Sequence, residues 1–165
     1  MQSPPGQGNS TPPIPEMVGA TSAPFYIFPG TTEISLPIHP PTGPARLPAG
    51  AAPNEVALEI EGVTCDERVP TISVYLNVPS GDAPLNHPEL NAGSLGTFGI
   101  QAASHPGPQH PGTGLSLRLE VTHLIGFLIA SKNWDPKNLR VSFVPGSWDA
   151  PVPKVKVGRV SLYFS

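Results

Sequence analysis

The sequence predicts an all-β fold: an antiparallel β-sandwich of about six to eight strands, with one short crossover helix and a proline-rich N-terminal arm. Apolar and polar residues alternate along several separate stretches, and a period of two is typical of strands with one buried face. The 24 prolines and 17 glycines separate these stretches with turns and loops. Strict alternation of this kind favours antiparallel pairing over a parallel sheet covered by helices.

The predicted strands follow one another from about residue 34 to residue 164. An early strand around Ile34, Leu36 and Ile38 contains Pro37, which confines it to a sheet edge. The clearest alternating runs are residues 56–60, 72–78, 115–121 and 139–143, and residues 95–100 predict a further strand interrupted by glycines. In the last run, residues 155–164, the apolar parity changes at Gly158, which predicts a β-bulge there.

One helix interrupts the strands. Thr122 is a suitable N-cap residue, and residues 123–132 are almost entirely apolar, so we expect a buried helix that closes one end of the sandwich.

Residues 1–24 are dominated by proline, glycine, serine and threonine and have little to bury, which predicts a flexible linker. The predicted domains are therefore a linker over 1–24 and a sandwich over 25–165.

Composition excludes several classes of protein. Charged residues make up 13% of the chain and the net charge is −3, with no basic stripe of the kind that binds nucleic acid. The single cysteine, Cys65, excludes an intrachain disulfide. We see no signal peptide and no apolar run long enough to cross a membrane, and the sequence leaves the compartment undetermined. A surface so poor in charge favours a protein that has a partner.

The sequence predicts no catalytic residue and no cofactor site. Four of the five histidines precede a proline, which favours extended loop conformations over a preorganised metal cage. His105, His110 and Cys65 are the candidate metal ligands, because His105 and His110 share one loop and a thiolate favours Cu(I). Trp134 and Trp148 are candidates for an aromatic surface that contacts a sugar or a protein.

Several motifs, in this order, carry a resemblance to a known family. They are residues 15–21 (PEMVGAT), 73–79 (SVYLNVP), 93–99 (GSLGTFG), 117–122, 134–135 (WD), 139–145 and 157–163 (VGRVSLY). Together they resemble the C-terminal domain that follows the di-copper catalytic domain in the tyrosinase and polyphenol oxidase family. The resemblance covers about residues 15–164, nearly the whole chain.

The resemblance implies an accessory role. In that family a four-helix bundle supplies six histidines to two coppers that oxidise phenols and catechols, and the C-terminal domain covers the copper site, keeps the enzyme latent or assists its folding. This chain contains no such bundle, so copper is implied only for a partner catalytic domain, in cis or as a separate subunit. The candidate residues for contacting that partner or closing its site are Leu85, Leu90, Phe98, Trp134 and Trp148.

Two other hypotheses remain at this point. The chain is alternatively a free-standing protein- or carbohydrate-binding sandwich, since this architecture serves many unrelated functions. A third hypothesis is that the chain is a small copper carrier that uses His105, His110 or Cys65. Stoichiometric copper in the purified chain would distinguish the carrier, and loss of sugar or surface binding on replacing Trp134 or Trp148 with alanine would distinguish the binding module.

Overall fold

The computed structural model describes residues 14–43, 46, 51–107, 112–147 and 155–165. Within these residues the chain forms ten strands and two α-helices. The strands are β1 (Glu16–Ala20), β2 (Phe25–Ile27), β3 (Thr32–Pro37), β4 (Val56–Val63), β5 (Ile72–Leu76), β6 (Asn91–Leu95), β7 (Leu115–Glu120), β8 (Asn138–Pro145), β9 (Val155–Val157) and β10 (Arg159–Phe164). The helices are α1 (Ile100–Ala103) and α2 (Thr122–Ala130), and two 3-10 turns cover Pro84–Asn86 and Pro88–Leu90.

The strands form two four-stranded antiparallel sheets and a two-stranded ribbon. The first sheet has the order β1-β10-β4-β7, the second has the order β3-β8-β5-β6, and the ribbon pairs β2 with β9. β3 is an edge strand, as its Pro37 predicted. The all-β sandwich predicted from the alternating runs is confirmed, with more strands than the six to eight expected.

The core lies between the two sheets. The alternating runs supply it with side chains that are fully buried, as period two requires. Phe143 on β8 is the largest of them, and its ring lies 5.5 Å from that of Phe25. Other members are Leu36, Val56, Leu58, Ile60, Ile72, Val74, Leu95, Leu139, Val141, Val160 and Leu162.

Part of the predicted N-terminal arm forms a strand, β1, so the predicted flexible linker is too long. Glu16–Ala20 pair antiparallel with β10, from Glu16 opposite Phe164 to Ala20 opposite Ser161. The Glu16 carboxylate accepts hydrogen bonds from the backbone N–H groups of Thr42, at 2.8 Å, and Gly43, at 3.0 Å, and these bonds lower its pKa. Residues 16–20 therefore belong to the sandwich, whereas residues 1–13 of the predicted linker lie outside the described residues.

The parity change at Gly158 has a different cause from the predicted bulge. Val155 and Val157 are buried, as are Val160 and Leu162, so both apolar sets face the core. The pairing of β4 with this segment keeps one register, from Thr64 opposite Lys156 to Glu61 opposite Arg159. Gly62, with φ +66°, lies against Gly158, and both strands change face at this level. The register shift falls instead between β4 and β7.

Two further local predictions are corrected. Thr122 opens α2 but does not cap it: its hydroxyl accepts a hydrogen bond from the Val56 N–H at 2.9 Å and donates to the Glu120 carboxylate. Helix α2 buries Ile125 and Leu128 at one end of the sandwich, while Phe127 is 46% exposed. The strand predicted over residues 95–100 lies earlier, at β6, and is followed by a loop and α1.

Candidate partner-contact site

The loop between β6 and α1, residues 96–99, has a rigid base. It begins after Leu95 and ends at Ile100, and both side chains are buried in the core. The Thr97 hydroxyl donates a hydrogen bond of 2.7 Å to the Val69 carbonyl, and the Ile100 N–H donates to the Thr97 carbonyl at 3.2 Å. These contacts fix the backbone on both sides of Phe98.

Phe98 lies at the tip of this loop and is 99% exposed. It is flanked by Gly96 and Gly99, and a Cβ built on either glycine would have no atom within 4 Å. The aromatic ring therefore projects into open space from a loop of small side chains. Exposure of a whole phenylalanine forgoes about 1.5–3 kcal/mol of burial free energy, which becomes available when the ring is covered.

Helix α1 connects the loop to the segment after β4. The Ser104 hydroxyl accepts a hydrogen bond from the Cys65 N–H at 2.8 Å and donates to the Ile100 carbonyl at 2.6 Å. The Gln101 side chain donates to the Asp66 carbonyl at 2.9 Å. Cys65 and its neighbours thus support the loop that carries Phe98.

The other candidate contact residues differ in exposure. Leu85 lies on the first 3-10 turn and is 71% exposed, whereas Leu90 is buried, so the prediction that Leu90 contacts a partner is corrected. Trp134 is half-buried and packs against the core beside Asn77, Asn133 and Arg140. Trp148 lies outside the described residues.

The exposed candidates lie at opposite ends of the sandwich. Phe98 follows the Leu95 end of β6, which pairs with Ile72 at the start of β5. Leu85 lies in the connection between β5 and β6, beyond the other end of these strands. Trp134 lines one cleft with Asn77, just past the end of β5, and so also belongs to the end opposite Phe98. One compact pocket in a partner therefore cannot receive both Phe98 and Leu85.

The candidate metal ligands do not form a metal centre in the described part of the chain. The Nε2 atom of His105 lies 3.3 Å from an Asp66 carboxylate oxygen, and both side chains are exposed. Cys65 is buried, which raises the pKa of its thiol, and its sulfur accepts a hydrogen bond from the Glu67 N–H. No group of three His, Cys, Asp or Glu side chains converges among the described residues. His110 lies outside them.

Sequence reasoning missed one polar cluster and the exposed aromatic side chain of Phe127. His87, read as a loop histidine, lies between the carboxylates of Asp82 and Glu89. A cleft beside Phe127 and His123 contains Glu89 and Glu120. The sequence signal for this cluster was the presence of acidic residues two and five positions from His87.

None of the helices in the described ranges has the length and hydropathy of a membrane span.

These features define a class: an antiparallel β-sandwich domain with a protruding aromatic loop. A family model described as a domain of unknown function (DUF7868) matches residues 14–165, and the chain belongs to this family. The chain is also 30% identical over 152 residues to the tyrosinase HcTyr1 of Hahella sp. (strain CCB-MM4). The resemblance to the tyrosinase and polyphenol oxidase family is thereby confirmed.

The aligned region is only part of that tyrosinase. It covers 92% of this chain and 33% of the relative, so the chain spans about a third of the length of the curated relative it matches. Among solved structures, latent apple tyrosinase matches with a TM-score of 0.48 and 20% identity, over 86% of this chain and 28% of that chain. A recombinant latent aurone synthase (polyphenol oxidase) matches with a TM-score of 0.46 and 13% identity, over 86% and 26%. Both scores are too low to carry an assignment.

Proposed function

We propose that this chain is a non-catalytic accessory domain of a tyrosinase-type di-copper oxidase. It packs on the catalytic domain, in cis or as a separate subunit, and shields or regulates the copper site or assists folding of the enzyme. The observation that carries the proposal is the 30% identity to one part of a tyrosinase, along nearly the whole of this chain. The histidine-rich helical bundle expected of the catalytic part has no counterpart in this sequence.

The Phe98 loop is the contact we propose for the catalytic domain. Its benzene ring resembles that of a phenolic substrate in size and shape, and its exposure of 99% leaves the whole ring free to enter a pocket. The hydrogen bond from Thr97 and the buried anchors Leu95 and Ile100 tie both sides of the loop to the core, which reduces the entropy lost on docking. Phe98 is therefore favoured over Leu85 and Trp134 as the side chain that closes the site.

Copper belongs to the proposed partner. Among the candidate metal ligands in the described residues, Cys65 is buried, and the exposed His105 lies beside the Asp66 carboxylate. Within the family each copper of the di-copper centre takes three imidazoles, and these side chains do not supply them. The proposed accessory role therefore places copper in the partner and assigns it no ligand from this chain.

The second candidate function is a free-standing protein- or carbohydrate-binding module. The cleft around Trp134 favours it, because an indole lies there beside amide, carboxylate and guanidinium groups of Asn133, Asp135 and Arg140. Aromatic surface combined with such polar groups suits a sugar or a polar peptide. This cleft lies at the end opposite Phe98, so replacing Trp134 with alanine separates the two functions.

The decisive experiment follows the chain in a native extract of its source. A native gel stained for catechol oxidation is blotted with an antibody against the chain, and a denaturing gel gives the size of the detected polypeptide. We expect the antibody signal to coincide with oxidase activity, either in a polypeptide far larger than 17.3 kDa or in a complex. A 17.3 kDa species that separates completely from the oxidase activity would overturn the proposal.

A further inference from the structure

The connection between β5 and β6, residues 77–90, is held together by local hydrogen bonds. The N–H groups of Asn86, His87 and Leu90 donate to the carbonyls of Ala83, Pro84 and His87 at 3.0, 2.9 and 2.9 Å. Leu76 and Leu90 anchor the two sides of the connection in the core. Between these anchors the connection holds Leu85 71% exposed.

A side-chain bridge crosses this connection. The Nε2 atom of His87 lies 2.8 Å from a carboxylate oxygen of Asp82, and its Nδ1 atom lies 2.9 Å from a carboxylate oxygen of Glu89. An ionised carboxylate only accepts hydrogen bonds, so both ring nitrogens must donate. Only the imidazolium has two N–H groups, whereas the neutral ring satisfies one carboxylate at a time.

We propose that His87 is a pH-operated latch of the β5–β6 connection: its imidazolium ties Asp82 to Glu89, and its deprotonation releases one of them. The imidazole is 23% exposed, so protons reach it without unfolding of the domain. The latch concerns the isolated chain and does not depend on a tyrosinase-type partner.

The direction of the pH effect follows from the charges around the ring. Hydrogen bonds from Glu89 and Asp82, in that order, raise the pKa of His87 above its ordinary value. A group whose pKa is raised by folding contributes stability fully below its unfolded pKa and loses it as the pH rises through the folded pKa. The bond to His87 also lowers the pKa of Glu89, so the latch opens on the acid side only when the pH falls through that lowered value.

Other charged groups border the connection on different elements. Arg140 on β8 donates a hydrogen bond of 2.7 Å to the Val78 carbonyl and lies 4.0 Å from Glu33 on β3. Glu120, at the end of β7, and His123, on α2, line the cleft that also contains Glu89. The bond from Arg140 to the Val78 carbonyl does not involve His87, so it holds the start of the connection in both states of the latch. His123 is the neighbouring group whose titration must be separated from that of His87.

The test is an NMR titration of the whole chain, from about pH 5 to about pH 9, around the ordinary histidine pKa. Ring protons report the protonation of each histidine, and amide exchange reports protection of Asn86, His87 and Leu90. We expect His87 to titrate above its ordinary value and the three amides to lose protection by about threefold to tenfold across that titration. The variant Glu89→Gln should lower the His87 midpoint and weaken protection at low pH.

Two controls make the outcome specific. His105→Gln removes an exposed histidine at the other end of the sandwich, and His123→Gln removes the histidine of the neighbouring cleft. Neither should change the pH profile of the three amides. A His87 midpoint at or below the ordinary value, or protection that stays constant while His87 deprotonates, would refute the latch, and the wild-type titration alone gives both results. Amide protection that changes with the titration of His123 instead of His87 would also refute the latch.

Discussion

Replacing Phe98 with serine separates the stability of this domain from its affinity for a partner. The ring is 99% exposed, and a Cβ added at Gly96 or Gly99 would meet no atom within 4 Å, so the folded chain loses almost no buried surface on substitution. Substitutions at such surface positions stay within about 0.5 kcal/mol of the parent in unfolding free energy. We therefore expect urea unfolding curves of the variant and the parent to have the same midpoint.

The same substitution should be costly in the complex. A phenylalanine that becomes fully buried contributes about 1.5–3 kcal/mol, and each 1.4 kcal/mol corresponds to a factor of about ten in the dissociation constant. Phe98→Ser should then weaken binding to the tyrosinase-type catalytic domain by about tenfold to a hundredfold. Calorimetric titration measures the affinity, and the rate of catechol oxidation measures how far the bound domain still blocks the site.

Leu85→Ser is the matched control for this prediction. Leu85 is also an exposed apolar side chain on a loop, but it lies at the opposite end of the sandwich. It should leave both the stability and the affinity near the parent values. The reasoning fails if Phe98→Ser shifts the unfolding midpoint substantially, or if Leu85→Ser weakens binding while Phe98→Ser does not.

Three further predictions concern the folded chain alone. Gly19→Ala should destabilise it by about 1–3 kcal/mol in urea unfolding, because the new Cβ would lie 2.5 Å from the Pro37 carbonyl oxygen; an unchanged midpoint would contradict this close approach. Asn77→Ala should cost about 2–4 kcal/mol, since it removes the acceptor of the Arg140 N–H and places alanine at φ 49°; Asn77→Gly, which tolerates that φ, should cost less. Cys65 should react with a thiol reagent at neutral pH only as fast as the chain unfolds, because burial raises its pKa and blocks access; rapid stoichiometric labelling of the native chain would refute this.

The strands could be predicted wherever one face of a run is buried. Leu58 and Val74 lie in such runs, and both became core residues because every second side chain of a half-buried strand points inward. The strand β1 was missed because Glu16–Ala20 is short and its pairing with β10 joins residues far apart in sequence. The sheet orders could not be predicted either, since they depend on such long-range pairings.

The candidate contact residues could also be predicted only in part from the sequence. Residue type and position made Phe98 one of five candidates, although the residues around it were expected to form a strand, and only the structure shows that its ring is 99% exposed. Leu85 and Leu90 share one proline-rich connection and one residue type, so the sequence could not distinguish the exposed leucine from the buried one. The structure separates them because the two 3-10 turns direct Leu90 towards the core and Leu85 away from it.

The pairing of β1 with β10 constrains how another domain can be connected to this one. Glu16 lies beside Phe164, and the Ser165 backbone exchanges hydrogen bonds with that of Glu55, so both ends of the described sandwich emerge together near α2. Phe98 lies at the far end, and the eight residues of β4 that run between the two ends span about 26 Å. A catalytic domain joined to either end must therefore reach along the length of the sandwich to meet Phe98, either with its own body or through a connecting segment, for which about eight extended residues would span the distance. A separate subunit would meet no such tether requirement, because it could approach Phe98 directly from the far end of the sandwich.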